Sequence, residues 1–299
     1  MYLVILTDKD YTVFKKEIKN YFDKKKIDIE ISDDYELKTP VGSLFSGETN
    51  LYNLAKACRE SEKKTWKELI EEFFDNILEG TNFQKTFDER RTDFDYAKVF
   101  IGVRFFNRAY FGDKEDSFVF VPLLEDVCLT LIFDLPNYTN SVLPGLIETW
   151  NKNEQELFHI GYYNIHIKYQ YSIDIESIGD IQACRVHTDH FYGNIVLLQL
   201  ENKGLVGKHD SLIIVPNRHE TFIYPIENEE VSKAIKYFVL IAQDRFMGPG
   251  SISKNLYWYK DKKFTLLSVT KNGSEVFINT TPEYLEMINS LKCKGINLL

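Results

Sequence analysis

Two apolar runs, Ser211-Leu212-Ile213-Ile214-Val215-Pro216 and Glu220-Thr221-Phe222-Ile223-Tyr224-Pro225, are separated only by Asn217-Arg218-His219. Runs this rich in β-branched and aromatic residues read as strands, and so short a connection makes them an antiparallel hairpin. A sheet this apolar must be covered, so neighbouring segments have to supply the layers. A helix is predicted over about 229–245, with Val231, Ala234, Ile235, Phe238 and Ala242 inward and Gly248-Pro249-Gly250 stopping it. A second hairpin, 256–260 with 263–269, comes next. A short helix near 282–292 has Thr281 as cap and Pro282 at its first position.

Upstream, short β-branched and aromatic runs at 98–106, 118–122, 128–134 and 180–187 predict further strands. Between them Asn153 and Glu156 give a capping signal for a helix over 154–166, with Leu157, Phe158, Tyr162 and Ile165 on its inner face. The first third reads as mainly helical. Residues 11–25 place Val13, Phe14, Ile18, Tyr21 and Phe22 at helical spacing, residues 27–31 alternate as a strand does, and Asp33-Asp34 turns the chain. The clearest helix, 62–78, carries Trp66, Leu69, Ile70, Phe73, Phe74, Ile77 and Leu78 on one core-facing stripe, with Ser61 as cap and Gly80 as stop. The expectation is an α/β (α+β) protein: a mixed sheet with flanking helices, a mainly helical N-terminal region 1–96, and an α/β region 97–299 with two hairpins and a C-terminal helix.

Charge narrows the partners. The chain has 36 Lys and Arg against 45 Asp and Glu, a formal charge of -9 over 299 residues, and its basic runs 24–26 and 260–263 are short. Such a surface repels a phosphate backbone, so nucleic acid is not expected as a partner. No stretch approaches the ~20 apolar residues of a membrane span. Met1-Tyr2-Leu3-Val4-Ile5-Leu6 lacks the basic flank and length of a secretion signal, so a cytoplasmic location is expected. Cys58, Cys128, Cys184 and Cys293 are widely spaced and form no C-x-x-C pair, which reads as buried free thiols.

Several local patterns occur in a telling order: Phe100-Ile101-Gly102-Val103-Arg104, Val121-Pro122-Leu123, the strand-like run 129–134, and Asn153-Glu154-Gln155-Glu156-Leu157-Phe158. Arg185 then leads through Asp189, followed by Ile214-Val215-Pro216-Asn217-Arg218 and Gly248-Pro249-Gly250. Together they resemble the YtpQ-like family of uncharacterised bacterial proteins, a domain-of-unknown-function family. The resemblance implies a cytoplasmic bacterial α/β protein and transfers no activity, ligand or catalytic residue. The chain departs from the family after Asp189, where His190-Phe191-Tyr192-Gly193-Asn194 replaces a tyrosine followed by another acid and small residues.

Three clusters offer chemistry. His187-Thr188-Asp189-His190 matches the latter part of the metallo-β-lactamase signature H-x-H-x-D-H, with Arg185 standing where the first ligand belongs. Its bland reading is a polar loop in which Asp189 caps the helical turn that follows. Asn217-Arg218-His219 is a hairpin tip with donors suited to an anion or an acidic partner, although most such tips only turn. Arg104 and Arg108 flank Phe105, Phe106, Tyr110 and Phe111, an arrangement that could stack on a base or bind a carboxylate, with intramolecular packing as the commoner reading. His159, Tyr163 and His166 share one helix face, read as solvent-facing.

The hydrolase elbow G-x-S-x-G, the phosphate loop G-x-x-x-x-G-K-[ST], the zinc helix H-E-x-x-H and the dinucleotide turn G-x-G-x-x-G are all absent. The favoured expectation is a module that binds a protein partner or small ligand through Arg185, Asp189, Asn217, Arg218 and His219, with no cofactor and no catalysis of its own. One alternative is a metal-dependent hydrolase using His187, Asp189 and His190 with a divalent metal. Another is an acidic immunity or defence component that inhibits a basic enzyme.

Overall fold

A computed structural model describes residues 5–40, 47–246, 250–272, 275–291 and 297–298. The expected features at Met1-Tyr2-Leu3-Val4, Gly248-Pro249 and Cys293 lie outside the described residues. Two units make up the chain: residues to Asp93 with Leu135–Thr139, and Phe94–Asp134 with the remainder from Asn140.

The first unit joins helices to a small antiparallel sheet. It contains α1 (Asp8–Lys24), β1 (Glu30–Ile31), β2 (Glu36–Thr39), β3 (Gly47–Asn50), α2 (Tyr52–Arg59) and α3 (Trp66–Arg90), with strand order β1-β2-β3. Thr7 caps α1 by accepting from the Asp10 amide at 3.2 Å. Phe14, Ile18 and Phe22 of α1 meet Leu37, Leu54, Cys58, Ile70 and Phe74 in one core. The strand expected over 27–31 shrinks to Glu30–Ile31, and Ser61 does not cap α3, which follows a 3₁₀ turn at Lys63–Thr65. Gly80 does not end that helix either. A glycine inside a helix costs only about 1 kcal/mol relative to alanine, and the buried Phe87 continues the apolar stripe beyond it.

The second unit is a mixed α/β assembly built on two sheets. In chain order it holds α4 (Phe94–Ala97), β4 (Ile101–Asn107), β5 (Phe120–Leu124), β6 (Val127–Leu135, its last residue counted with the first unit), the end of β7 (Tyr138–Ser141, with Tyr138 and Thr139 in the first unit), α5 (Pro144–Trp150), α6 (Glu154–Lys168), β8 (Ser172–Ile178) and β9 (Ile181–His187). Then come β10 (Ser211–Asn217), β11 (Glu220–Pro225), α7 (Val231–Arg245), β12 (Leu256–Lys260), β13 (Lys263–Asn272), β14 (Glu275–Asn279), α8 (Pro282–Ser290) and β15 (Asn297–Leu298). Among the described residues the larger sheet has eight strands in the order β15-β14-β13-β12-β10-β11-β9-β8, antiparallel except for the β14–β15 pairing. The smaller sheet runs β4-β6-β5, with β7 also on β6.

Both predicted hairpins form, β10 with β11 and β12 with β13. Alternate residues of a strand share one face. Ala183, Leu212, Ile214, Phe222, Tyr224, Leu256 and Trp258 accordingly pack against Ile235, Phe238 and Ala242 of α7 and Tyr284 of α8. The 3₁₀ turn Gly193–Leu198 contacts β9, β11 and β4.

Helix α6 starts where Asn153 accepts from the Gln155 amide at 2.7 Å, and it lies directly on β4. A Cβ on Gly161 would stand 2.9 Å from the backbone carbonyl of Gly102, so the two backbones touch. Asn164 fastens the crossing by donating to the carbonyls of Lys98 and Ile101 at 2.9 and 2.8 Å. His159, Tyr163 and His166 lie on its exposed side, as expected.

A carboxylate lock joins the sheets. Asp126, between β5 and β6, accepts from Ser253 Oγ at 2.8 Å, from Asn255 Nδ2 at 2.9 Å and from the buried Tyr257 hydroxyl. Burial and the neighbouring carboxylate push the Tyr257 phenol well above its ordinary range. Cys58 and Cys128 are buried free thiols, while Cys184 is half-buried; desolvation raises Cys58 to about 11. Among the described residues no helix is long and apolar enough to cross a membrane.

Candidate functional site

The end of β9, the loop after it, and the β10–β11 tip form one surface. Thr188 donates its amide to the His219 carbonyl at 3.1 Å, and His219 Nδ1 lies 3.0 Å from the His190 carbonyl oxygen. Short-range bonds shape the loop. The His190 amide donates to Thr188 Oγ1 at 3.1 Å, and the Tyr192 amide donates to His190 Nδ1 at 3.1 Å. Asn217 turns the tip by accepting from the His219 amide at 2.9 Å. Gly193 is required by crowding, since a Cβ there would meet Thr188 Cγ2 at 2.7 Å. Asp189 is exposed and does not cap the 3₁₀ turn, whose N-cap is Tyr192 without a side-chain bond. The Thr188 and His190 side chains occupy the nearby loop amides instead.

Four arginines converge here as two pairs with opposite settings. Arg185 and Arg245 share the buried Glu220 carboxylate, Arg185 in close contact and Arg245 Nη1 at 3.4 Å. Asn217 Nδ2 adds a third donor at 3.3 Å. Burial alone would raise the Glu220 carboxyl, but the Arg185 and Asn217 hydrogen bonds and the Arg245 charge outweigh it and hold the group below its ordinary value. The cross-strand register sets Glu220 opposite His187 and Phe222 opposite Arg185, placing Glu220 and Arg185 on one face.

Arg104 and Arg218 instead share a ring. Their guanidinium carbons lie 5.0 and 4.0 Å from the Phe191 centroid, and Arg104 also stands 4.8 Å from that of Phe106. His219 packs edge-on against Phe191 at 5.7 Å and lies 3.1 Å from Arg218 Nε. Among the described residues Arg218 has no carboxylate within ion-pair distance, whereas Arg59, Arg91, Arg108, Arg185 and Arg245 each face one. Burial lowers the Arg104 guanidinium from its ordinary range, and the charge on Arg218 lowers it further. Two cations thus repel each other across a ring that is 38% exposed.

Buried polar groups underlie this stack. Asp134 accepts from Tyr192 OH at 2.5 Å, Tyr169 OH at 2.8 Å and Lys168 Nζ at 2.5 Å. Burial first, and then Asp134, push the Tyr192 phenol far up. Thr130 lies directly opposite Arg104 on the β4–β6 ladder; its hydroxyl is buried with no hydrogen-bond partner among the described residues. Asn194 Oδ1 is likewise buried without one, although Asn194 Nδ2 donates to Thr221 Oγ1 at 2.9 Å and to the Asn217 carbonyl at 3.2 Å.

The candidate metal ligands are drawn to different partners. His187 Nε2 lies 2.7 Å from Asp174 Oδ2, and His190 Nε2 lies 2.6 Å from the Gln170 carbonyl oxygen. With His190 Nδ1 also engaged, a metal would have to displace existing bonds, and among the described residues no three His, Cys, Asp or Glu side chains gather to hold one. Of the predicted residues, the structure brings Arg218, His219 and Asn217 to the loop holding Asp189, and commits Arg185 to Glu220. The sequence offers Arg104 as a stacking or carboxylate-binding guanidinium with packing as the commoner reading, and it does not single out Phe191, Glu220 or Arg245, whose pairing depends on the tertiary fold. Arg108 forms a bidentate pair with Glu115 at 2.8 and 3.0 Å.

No family model, curated protein or solved structure matches the chain. The site's chemistry is therefore read from its own side chains.

Proposed function

We propose that this protein is a binding module for an anionic group, a phosphate or carboxylate, held by Arg218 and Arg104 beside the 217–219 tip. The carrying observation is that both guanidiniums share the half-exposed Phe191 ring while Arg218 has no carboxylate partner among the described residues. An anion placed there relieves their mutual repulsion and gains charge-assisted hydrogen bonds from planar donors. His219 and Asn217 shape the rim. A free small anion and an acidic group on a protein partner present the same chemistry. The YtpQ-like resemblance stands beside this reading as a proposal resting on its ordered motifs.

The test is thermal unfolding with inorganic phosphate, pyrophosphate and citrate against chloride at matched ionic strength. A ligand that binds only the folded state raises the melting temperature in proportion to its occupancy. At least one multivalent anion should give a saturable rise that Arg218→Ala abolishes and Arg218→Lys partly keeps. A response no larger than that to chloride, or an undiminished one in Arg218→Ala, would overturn the reading.

A further inference from the structure

Helix α3 carries a second line of residues beside the one that fills its core. Phe73, Ile77, Gly80 and Gln84 recur along it at steps of four, three and four, and its apolar side chains are only half-buried. With Asn137 and Tyr138 they line a cavity of about 610 Å³ in the first unit. Asn137 adopts the left-handed conformation at φ 71° and donates from Nδ2 to the Asn76 carbonyl at 3.3 Å, which holds Tyr138 over Gly80.

Three features restrict what fits. The volume falls within the range of about 300–1,000 Å³ typical of small-molecule sites. Rings and an aliphatic chain from Phe73, Tyr138 and Ile77 meet carboxamides from Asn76, Gln84 and Asn137; among the described residues no charged side chain lines the space, Asp88 standing behind Gln84 and accepting from its Nε2 at 2.7 Å. An ion would lose hydration there without a counter-charge, which selects a neutral ligand. The third feature is Gly80. Its presence inside a helix costs about 1 kcal/mol relative to alanine, yet a Cβ would stand 3.6 Å from the Tyr138 ring, an ordinary contact. Packing against Tyr138 does not demand glycine; its bare Cα keeps the cavity floor open.

We propose that this cavity binds a neutral, ring-containing amphiphile, its flat apolar body against Phe73 and Tyr138 and its hydrogen-bonding end on the carboxamides. The site is separate from the arginine stack and independent of it. Titration of the full chain with the neutral fluorophore N-phenyl-1-naphthylamine should give a saturable fluorescence rise at one site per chain. Gly80→Leu should weaken it about tenfold by filling the floor. Gly80→Ala, which helix propensity favours and which therefore keeps the fold, should weaken it about threefold while raising the melting temperature. Arg218→Ala should leave the titration unchanged. No saturable binding to the wild-type chain, or undiminished binding in Gly80→Ala, overturns the proposal even if Gly80→Leu fails to fold.

Discussion

The two arginine pairs of the second unit differ in what stands between them. Between Arg185 and Arg245 lies a buried carboxylate, so desolvated charge is compensated within the chain; Arg104 and Arg218 instead share the Phe191 ring, and Arg218 has no carboxylate within ion-pair distance among the described residues. Guanidiniums paired internally hold a fold together, while guanidiniums stacked on a neutral face retain donors for a visitor. Abundance of arginine at a sheet end does not by itself distinguish these roles. The partner does.

Removing the shared carboxylate is the harshest way to break this contrast. Glu220→Ala leaves two arginines facing each other across a vacancy and should cost about 2 kcal/mol, below the full penalty for a broken buried pair because both arginines keep some solvent access. Urea unfolding measures it, and a loss no larger than that of a surface substitution would place Glu220 outside the fold's supports. Acid should reproduce part of the effect. Since the folded Glu220 pKa is depressed, its stabilisation is complete above the ordinary glutamate value of 4.5 and is lost as pH falls through the lower folded value. Denaturation curves from pH 7 to 3 should therefore be flatter for Glu220→Gln than for wild type.

At the other pair, Arg218→Met should leave unfolding free energy within about 0.5 kcal/mol, because the lost ring contact is offset by relief of repulsion from Arg104. A loss above about 1 kcal/mol would make this pair structural too. Asp189→Ala should have the smallest effect, with neither stability nor the anion response moving, since its exposed carboxylate is bound to nothing among the described residues.

The sequence showed the parts of this site more readily than their pairing. Residues 217–219 could be read as a tip because strong strands flank them, and α6 could be read from Asn153 onward because a cap is a local device. Arg104, Phe191 and Arg218 come from distant segments, and only the packing of the 193–198 turn against both sheets brings them together. Strand β8 was missed for another reason. Ile173-Asp174-Ile175-Glu176 alternates just as residues 27–31 do, but both isoleucines face solvent on an outer strand, so the alternation marks no core face and its place follows only from the pairing with β9. The length of α3 was misjudged because glycine near a helix end usually marks a stop, and nothing local reveals Tyr138 lying over Gly80.

The contact between Gly161 and Gly102 bears on how this scaffold tolerates change. Even one methyl group at position 161 would be driven into a peptide carbonyl, so the helix would have to lift and take Asn164 with it. Substitutions at the exposed Asp189 and at the tip leave this crossing alone, whereas variants lost at either glycine would report a blocked main-chain contact, not a change in the surface chemistry.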